Sequence, residues 1–289
     1  MRLTSLLRRA ASDSSVMVVV ITGMGDYFTS GADIRELQSS SAMEGEEEEA
    51  GFGKGVDRRQ AAGHFTEKTP TINRPVGIFM VTLATFPKPV VAAVNGPAVG
   101  IGVTLLPHCD LVYAAGGSGG LEEAVTFWTP FFRLAIVPEF CSSVTFPEIM
   151  GWAMSNDVLL MGRKLTLAEA RETGLVSRTL SSRGEAFLSE VCEALRKQMV
   201  QQAMGAESSQ TFKRIMNKER LPRILRVLQY ELTELDRRFK AGHPQAALRH
   251  MASLSQSREG GRNMEPQREG SRSESIGATE GSLRAPSRL

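Results

Sequence analysis

Residues 89–115 read PVVAAVNGPAVGIGVTLLPHCDLVYAA, and their order decides the fold. Val90 to Val94 reads as a strand and Asn95-Gly96-Pro97 as the turn that ends it. Gly100 and Gly102 then precede a short helix expected near Val103 to Leu106, and Leu111 to Ala114 reads as the next strand. Strand, turn, helix and strand in so short a stretch make a tight βαβ unit, whose crossover implies parallel strands with helices packed on the sheet faces. The expected class is α/β.

Working upstream, Gly77 to Phe86 has helical spacing at Ile78, Val81 and Phe86, and Pro87 and Pro89 end it before the strand. Val16 to Thr22, VMVVVIT, lacks alternation, as expected of a strand covered on both faces, and stops at the turn Gly23-Met24-Gly25-Asp26. The first residues, MRLTSLLRRAASDSS, either form an amphipathic helix feeding that strand or resemble a mitochondrial transit peptide in their arginines. Between Gln38 and Thr69 the composition turns to Ser, Gly and Glu, with EGEEEE ending at Glu49, and reads as a solvated loop.

Working downstream, Thr166 and Glu169 form a capping box at a helix start, and Gly174 stands where a left-handed C-cap is wanted. Two amphipathic helices follow, one with Phe187, Val191 and Leu195 on a stripe, the other with Leu221, Leu225, Leu228, Leu232, Leu235 and Phe239. From Ser253 to Leu289 the chain is rich in Ser, Arg, Glu and Gly and is expected to be disordered. It closes on Ser287-Arg288-Leu289, which has the small, basic, leucine pattern of a C-terminal peroxisomal import address.

The composition is globular: 289 residues, 42% hydrophobic and 23% charged. A net charge of +2 gives no overall pull toward nucleic acid or membrane. The longest apolar runs, Val16 to Ile21 and Val76 to Phe86, fall short of the roughly 20 residues of a membrane helix. Cys109, Cys141 and Cys192 are odd in number and far apart, which excludes a disulfide framework and offers no zinc spacing. No metal site is expected.

Gly96, Gly100 and Gly102 raise the question of a dinucleotide, but the spacing is not G-x-G-x-x-G and no acidic residue follows at the right distance. Glycines at a helix start instead supply free N–H groups, here that of Ile101, and the turn from Tyr27 to Ile34 adds a second set around Gly31 and Ala32. Two backbone donors on neighbouring strands can polarise one carbonyl oxygen. A hydrolase pairing of His108 with Ser142 or Ser143 lacks the G-x-S-x-G elbow. His64, His243 and His250 read as surface residues, and Cys141 as a small packing residue.

VVVITGMGDYFTSGADI, FPKPVVAAVNGPAVGIGVTLLPHCDLVYAA, VTFWTPFFRLAIVPEFCSSVTFPEIMG and GRKLTLAEARETGLVSR, in this order, resemble the enoyl-CoA hydratase/isomerase (crotonase) family over roughly Val16 to Met251. The resemblance implies a spiral of ββα turns with a helical C-terminal region that builds trimers or hexamers. It implies acyl-CoA thioester substrates, with coenzyme A part of the substrate and no separate cofactor. It places the two oxyanion-hole amides at Ala32 and Ile101, and substrate contacts at Ser30, Gly31, Asp33, Ile34 and Gly100, with Lys213 and Arg35 candidates for the CoA phosphates. The hydratase glutamate positions hold Thr104 and Phe131, whereas Pro138-Glu139-Phe140-Cys141-Ser142-Ser143 is similar to the segment that carries the single base of peroxisomal-type Δ3,Δ2-enoyl-CoA isomerases. The implied base is Glu139, walled by Phe127, Phe131, Val137 and Phe140.

Three departures accompany the resemblance: a first ββ turn apparently truncated before Val16, Phe140 in place of a small residue, and an insertion at Gly116 to Gly120. The expected organisation is an acyl-CoA-binding core over 1–180, an oligomerisation region over 181–252 and a tail over 253–289. The expected partners are a fatty acyl-CoA, further copies of the chain and a peroxisomal import receptor, with peroxisome as the address and mitochondrion as the alternative. An inactive acyl-CoA-binding or oligomerisation protein and an enoyl-CoA hydratase remain open beside the isomerase.

Overall fold

The computed structural model describes residues 2–31, 74–116 and 125–262, with side chains to 254. Ala32, Asp33, Ile34, Arg35, the acidic run ending at Glu49, His64, Gly117 to Gly120 and Ser287 to Leu289 lie outside these residues. The chain divides into two compact units, residues 1–249 and 250–289.

In the first unit, β1 (Val19–Thr22), β2 (Val90–Val94), β4 (Leu111–Ala115) and β7 (Arg178–Leu180) form one parallel sheet in the order β1-β2-β4-β7. The register runs Val19↔Val90 across β1 and β2, Val91↔Leu111 across β2 and β4, and Tyr113↔Arg178 across β4 and β7. A smaller sheet joins β3 (Ala98–Val99), β5 (Thr126–Trp128) and β6 (Leu165–Thr166), with β3 and β5 parallel and β5 and β6 antiparallel. The βαβ reading of residues 89–115 is met: α3 (Ile101–Thr104) and a 3₁₀ turn at Leu106–His108 bridge β2 to a parallel β4.

Side-chain alternation explains the layers. Val90, Ala92 and Val94 point into the main core with Val112 and Ala114, while Val91 and Ala93 join Tyr113, Ala115 and the α6 (Gly184–Leu195) residues Phe187, Val191 and Leu195 on the other face. Every residue of β2 is therefore buried, as a strand covered on both faces must be. The same expectation fails for Val16 to Thr22. Only Val19–Thr22 is a strand, and its residues are half-buried or exposed, because among the described residues β1 pairs with β2 alone and stands at the sheet edge.

The first residues form helix α1 (Arg2–Ser12), with Thr4 and Leu7 buried. Its C-terminal carbonyls are capped from outside: Lys88 Nζ donates to Ala10 O at 2.7 Å and Asp13 O at 2.5 Å. Helix α2 (Pro75–Ala84) begins on a proline whose missing N–H costs nothing at a helix start. Downstream lie α4 (Ser142–Leu159), α5 (Leu167–Glu172), α7 (Gly205–Asn217) and α8 (Arg220–Lys240). Thr166 and Glu169 form the expected capping box on α5, and Gly174 is left-handed at φ 86°.

Helix α8 buries Ile224, Leu228, Glu231, Leu232 and Leu235, so Leu221 and Leu225 of the expected stripe are only half-buried while a glutamate lies within it. Helix α9 (His243–Arg262) continues past Ser253, where disorder was expected to start. Its hydrogen bonds are local, and Ala, Leu, Gln and Arg support them.

Candidate active site

The amide side is assembled by backbone pairing. Phe28 N and Thr29 N donate to Pro97 O at 3.1 and 3.3 Å, and Val99 N donates to Thr29 O at 3.1 Å. Asn95 fixes the preceding turn, accepting from Gly23 N at 2.9 Å and donating to Gly25 O at 2.8 Å. This brings Ser30 and Gly31 beside Gly100 and Ile101: a Cβ on Gly31 would stand 3.4 Å from Val99 O. Gly100 has φ 57° and ψ −120°, a conformation a side chain resists, and a Cβ on Gly102 would stand 1.9 Å from Thr29 Cγ2. Gly100 is thus favoured by its backbone conformation and Gly102 by the close approach of Thr29. The N–H groups of Ile101 and Gly102 open α3 and have no intrahelical acceptor. Of the expected oxyanion pair, the structure describes Ile101.

The carboxylate side is assembled by side chains. Glu139 precedes a bend in which Phe140 and Cys141 are both left-handed, at φ 53° and 63°. For residues with a Cβ this costs about 1–2 kcal/mol each, so the surroundings must hold it. Two groups do. His108 Nε2 donates to Phe140 O at 2.8 Å, and its ring stacks on Phe140 at 4.0 Å. Burial lowers the His108 pKa to about 4, so the imidazole is neutral and acts as a strut. From α8, Glu231 accepts from Cys141 N at 2.5 Å, Ser143 N at 3.1 Å and the Ser143 hydroxyl.

Glu139 itself is half-buried, yet desolvation of its carboxyl, with the Glu231 charge adding to the effect, pushes it up to about 7. Burial pushes Glu231 up to about 7 as well, against the pull of its three donors. Charge is better kept on Glu231, which those donors solvate. Of the two carboxyls, Glu139 lacks such donors among the described residues and is the better suited to exchange a proton near neutrality. Such a group is suited to general acid–base work.

Phe127, Phe131 and Phe140 are buried and Val137 is half-buried. Thr104 is fully buried and its hydroxyl has no partner among the described residues. No base stands at Thr104 or Phe131. The hydrolase pairing has no geometry: His108 bonds a carbonyl, Ser143 bonds Glu231, and the Ser142 hydroxyl has no partner among the described residues. Burial pushes the Cys141 thiol up to about 12, which leaves it inert.

Lys213 does not serve as a free phosphate contact. It is 8% exposed, and its Nζ donates to Asp110 Oδ2 at 2.7 Å and Lys88 O at 2.9 Å, while the same Asp110 oxygen accepts from Val90 N at 2.7 Å. It also lines a cleft of about 780 Å³ with Phe86, Arg214, Lys218 and Leu225, which neither Glu139 nor the glycine turns line. Sequence reasoning missed Glu231 and the strut role of His108. A signal for the first existed, since Glu231 falls three residues after Leu228 and four before Leu235, on the apolar stripe. Among the described residues no helix could cross a membrane and no acidic, His or Cys group could hold a metal.

The chain is 43% identical over 171 residues to enoyl-CoA delta isomerase 2 of Rattus norvegicus, covering 59% of this chain and 36% of that protein. It is 38% identical over 171 residues to the peroxisomal enoyl-CoA delta isomerase 3 of Mus musculus, covering 59% and 45%. It is also 35% identical over 172 residues to chromodomain Y-like protein 2 of Homo sapiens, covering 60% and 28%. The chain thus spans less than half the length of these relatives. Its fold matches the solved structure of Pseudomonas aeruginosa OdaA at a TM-score of 0.69 and 31% identity, over 86% of each chain. A parallel sheet that juxtaposes glycine turns, a helical C-terminal region and this likeness agree with the match of residues 43–251 to the enoyl-CoA hydratase/isomerase model, and the chain belongs to that crotonase family.

Proposed function

We propose that the protein is a Δ3,Δ2-enoyl-CoA isomerase of fatty acid β-oxidation, moving the double bond of an unsaturated acyl-CoA from position 3 to trans-2. The observation that carries this reading is Glu139: a desolvated carboxyl tuned to about 7, with non-ionisable Thr104 and Phe131 where a hydratase would need its glutamates. Glu139 takes a proton from C2 and returns it at C4 of the dienolate, so atoms balance and no other reactant is needed. The peptide N–H groups of Ala32 and Ile101 hold the thioester oxygen as it gains charge, and Ser30, Gly31, Asp33, Ile34 and Gly100 border the substrate. The apolar wall excludes water and so suppresses hydration of the product.

The similarity to two enoyl-CoA delta isomerases supports the reaction, and the printed name of the mouse relative supports a peroxisomal address read by an import receptor from Ser287-Arg288-Leu289. Residues 181–252 serve assembly into a homotrimer or hexamer. The test is conversion of a 3-enoyl-CoA to the 2-enoyl-CoA by purified protein, followed by thioester absorbance. Isomerisation without 3-hydroxyacyl-CoA is the expected result, and 3-hydroxyacyl-CoA as the product would assign a hydratase. A second reading, acyl-CoA binding without turnover, is favoured by the chromodomain Y-like relative, whose name is not that of an isomerase. No turnover together with thermal protection by acyl-CoA would select it.

A further inference from the structure

The N-terminus of α4 has no cap of its own. Cys141 occupies the N-cap position in a left-handed conformation, and no side-chain hydrogen bond from that position closes the helix start. The acceptor comes instead from α8, 90 residues away, where Glu231 is 4% exposed among Leu228, Leu232 and Leu235. Burying a carboxylate in an apolar stripe does little for stability in itself, since a leucine there would pack without a desolvation cost. What it does here is geometrical. Cys141 N and Ser143 N converge on it, and the Ser143 hydroxyl adds a third donor. These bonds close the bend whose first residue follows Glu139 directly.

We propose that Glu231 is the positioning residue for Glu139: from α8 its carboxylate locks the left-handed Phe140–Cys141 bend, fixes where Glu139 stands, and keeps a like charge beside it. The inference rests on the reading of Glu139 as the base. Among the described residues, the groups around the pair are the neutral His108 under Phe140, the Cys141 thiol held in its neutral form, Ser143, and Arg220 at the start of α8, whose charge reaches Cys141. None of the others couples as a like charge to Glu139.

Two substitutions separate charge from reach. Glu231→Gln keeps the volume and removes the charge. It is expected to lower kcat for 3-enoyl-CoA isomerisation roughly 10-fold or more, leave KM within about twofold, and move the ascending limb of the pH–kcat profile to lower pH. Glu231→Asp keeps the charge but is one methylene short, so kcat falls while the limb stays at its wild-type pH. A packing role alone would lower Tm and leave the limb in place for both. Wild-type kcat and limb in Glu231→Gln would overturn the proposal. Should both variants fail to fold, Ser143→Ala removes one donor and should lower kcat about 2–5-fold, and an unchanged kcat there would overturn it. Absence of isomerase activity in the wild-type protein would remove the base reading alone. The Glu139 carboxyl titration, followed by ¹³C NMR of the full chain, then decides the pairing: its midpoint drops in Glu231→Gln if the like charge is real, or in a folded Ser143→Ala it shifts relative to wild type, and an unmoved midpoint refutes it.

Discussion

The two sides of the candidate site are held together by different parts of the chain. On the amide side, main-chain groups of Phe28, Thr29, Pro97 and Val99 pair directly, and the only side-chain requirement at Gly100 and Gly102 is that there be none. On the carboxylate side, a strained bend is held by His108 and Glu231, which lie 32 and 90 residues from the groups they bond. A backbone-built site announces itself in sequence, because close approach demands glycine. A side-chain-built site stays silent, because any polar residue on any helix could supply the clamp.

The largest expected effect lies on the carboxylate side. Glu139→Gln keeps the volume but removes the base, and kcat for isomerisation should fall by about 10²–10⁴ with little change in thioester affinity. A variant with wild-type turnover would transfer the chemistry to another group. Next comes the amide side: Gly102→Ala forces a methyl group against Thr29 Cγ2 and should cost about 1–3 kcal/mol of stability in chemical denaturation. Wild-type stability would mean that the two turns are not pressed together.

Titration sharpens the contrast further. Glu139 is raised to about 7 from an ordinary 4.5, so the folded state holds more protons than the unfolded one between these values. The stability it contributes is complete below about 4.5 and is lost as pH rises through 7. His108, lowered to about 4, acts in the opposite sense, contributing stability above its unfolded value of 6.5 that is lost as pH falls through 4. Comparing variants isolates the first effect: the Tm of Glu139→Gln should gain about 2–4 °C on that of the wild type between pH 5 and pH 8. A constant difference would mean that the carboxyl is well solvated. The smallest effect belongs to Thr104→Val, which replaces a buried, unpartnered hydroxyl by a methyl group. Stability should hold or rise slightly and kcat stay within about twofold, whereas a large loss of kcat would give Thr104 a role in the chemistry.

The parts of the fold legible in the sequence were those with a local cause. Val90 to Val94 carries its burial in composition, Thr166 and Glu169 carry a cap whose both halves lie within one turn, and Phe187, Val191 and Leu195 carry a helical period. The edge position of β1 was not legible, since VVVIT reads alike whether one neighbour covers it or two. At the candidate site, Ile101 and the turn around Gly31 were read from turn chemistry, whereas Gly100 as a substrate contact and Glu139 as a base rested on the family resemblance. Glu231 was passed over because a period count that looks for leucine skips the one position where the stripe is acidic. Lys213 was misassigned for a related reason: its spacing shows a cation, but only the assembled sheet shows that Asp110 and the Lys88 carbonyl already hold it.

That lysine also bears on how the native state is left. Its bond to Asp110 closes a span of 103 residues, whereas the βαβ unit containing Asp110 forms from near neighbours. A contact of such span that is absent from the folding transition state weighs on the unfolding rate and not on the folding rate. Through the Lys88 carbonyl the same ammonium reaches the residue that caps α1. The Lys213 ammonium is therefore a tie shared by the end of α1 and the start of β2, and the two are expected to loosen together when it is lost.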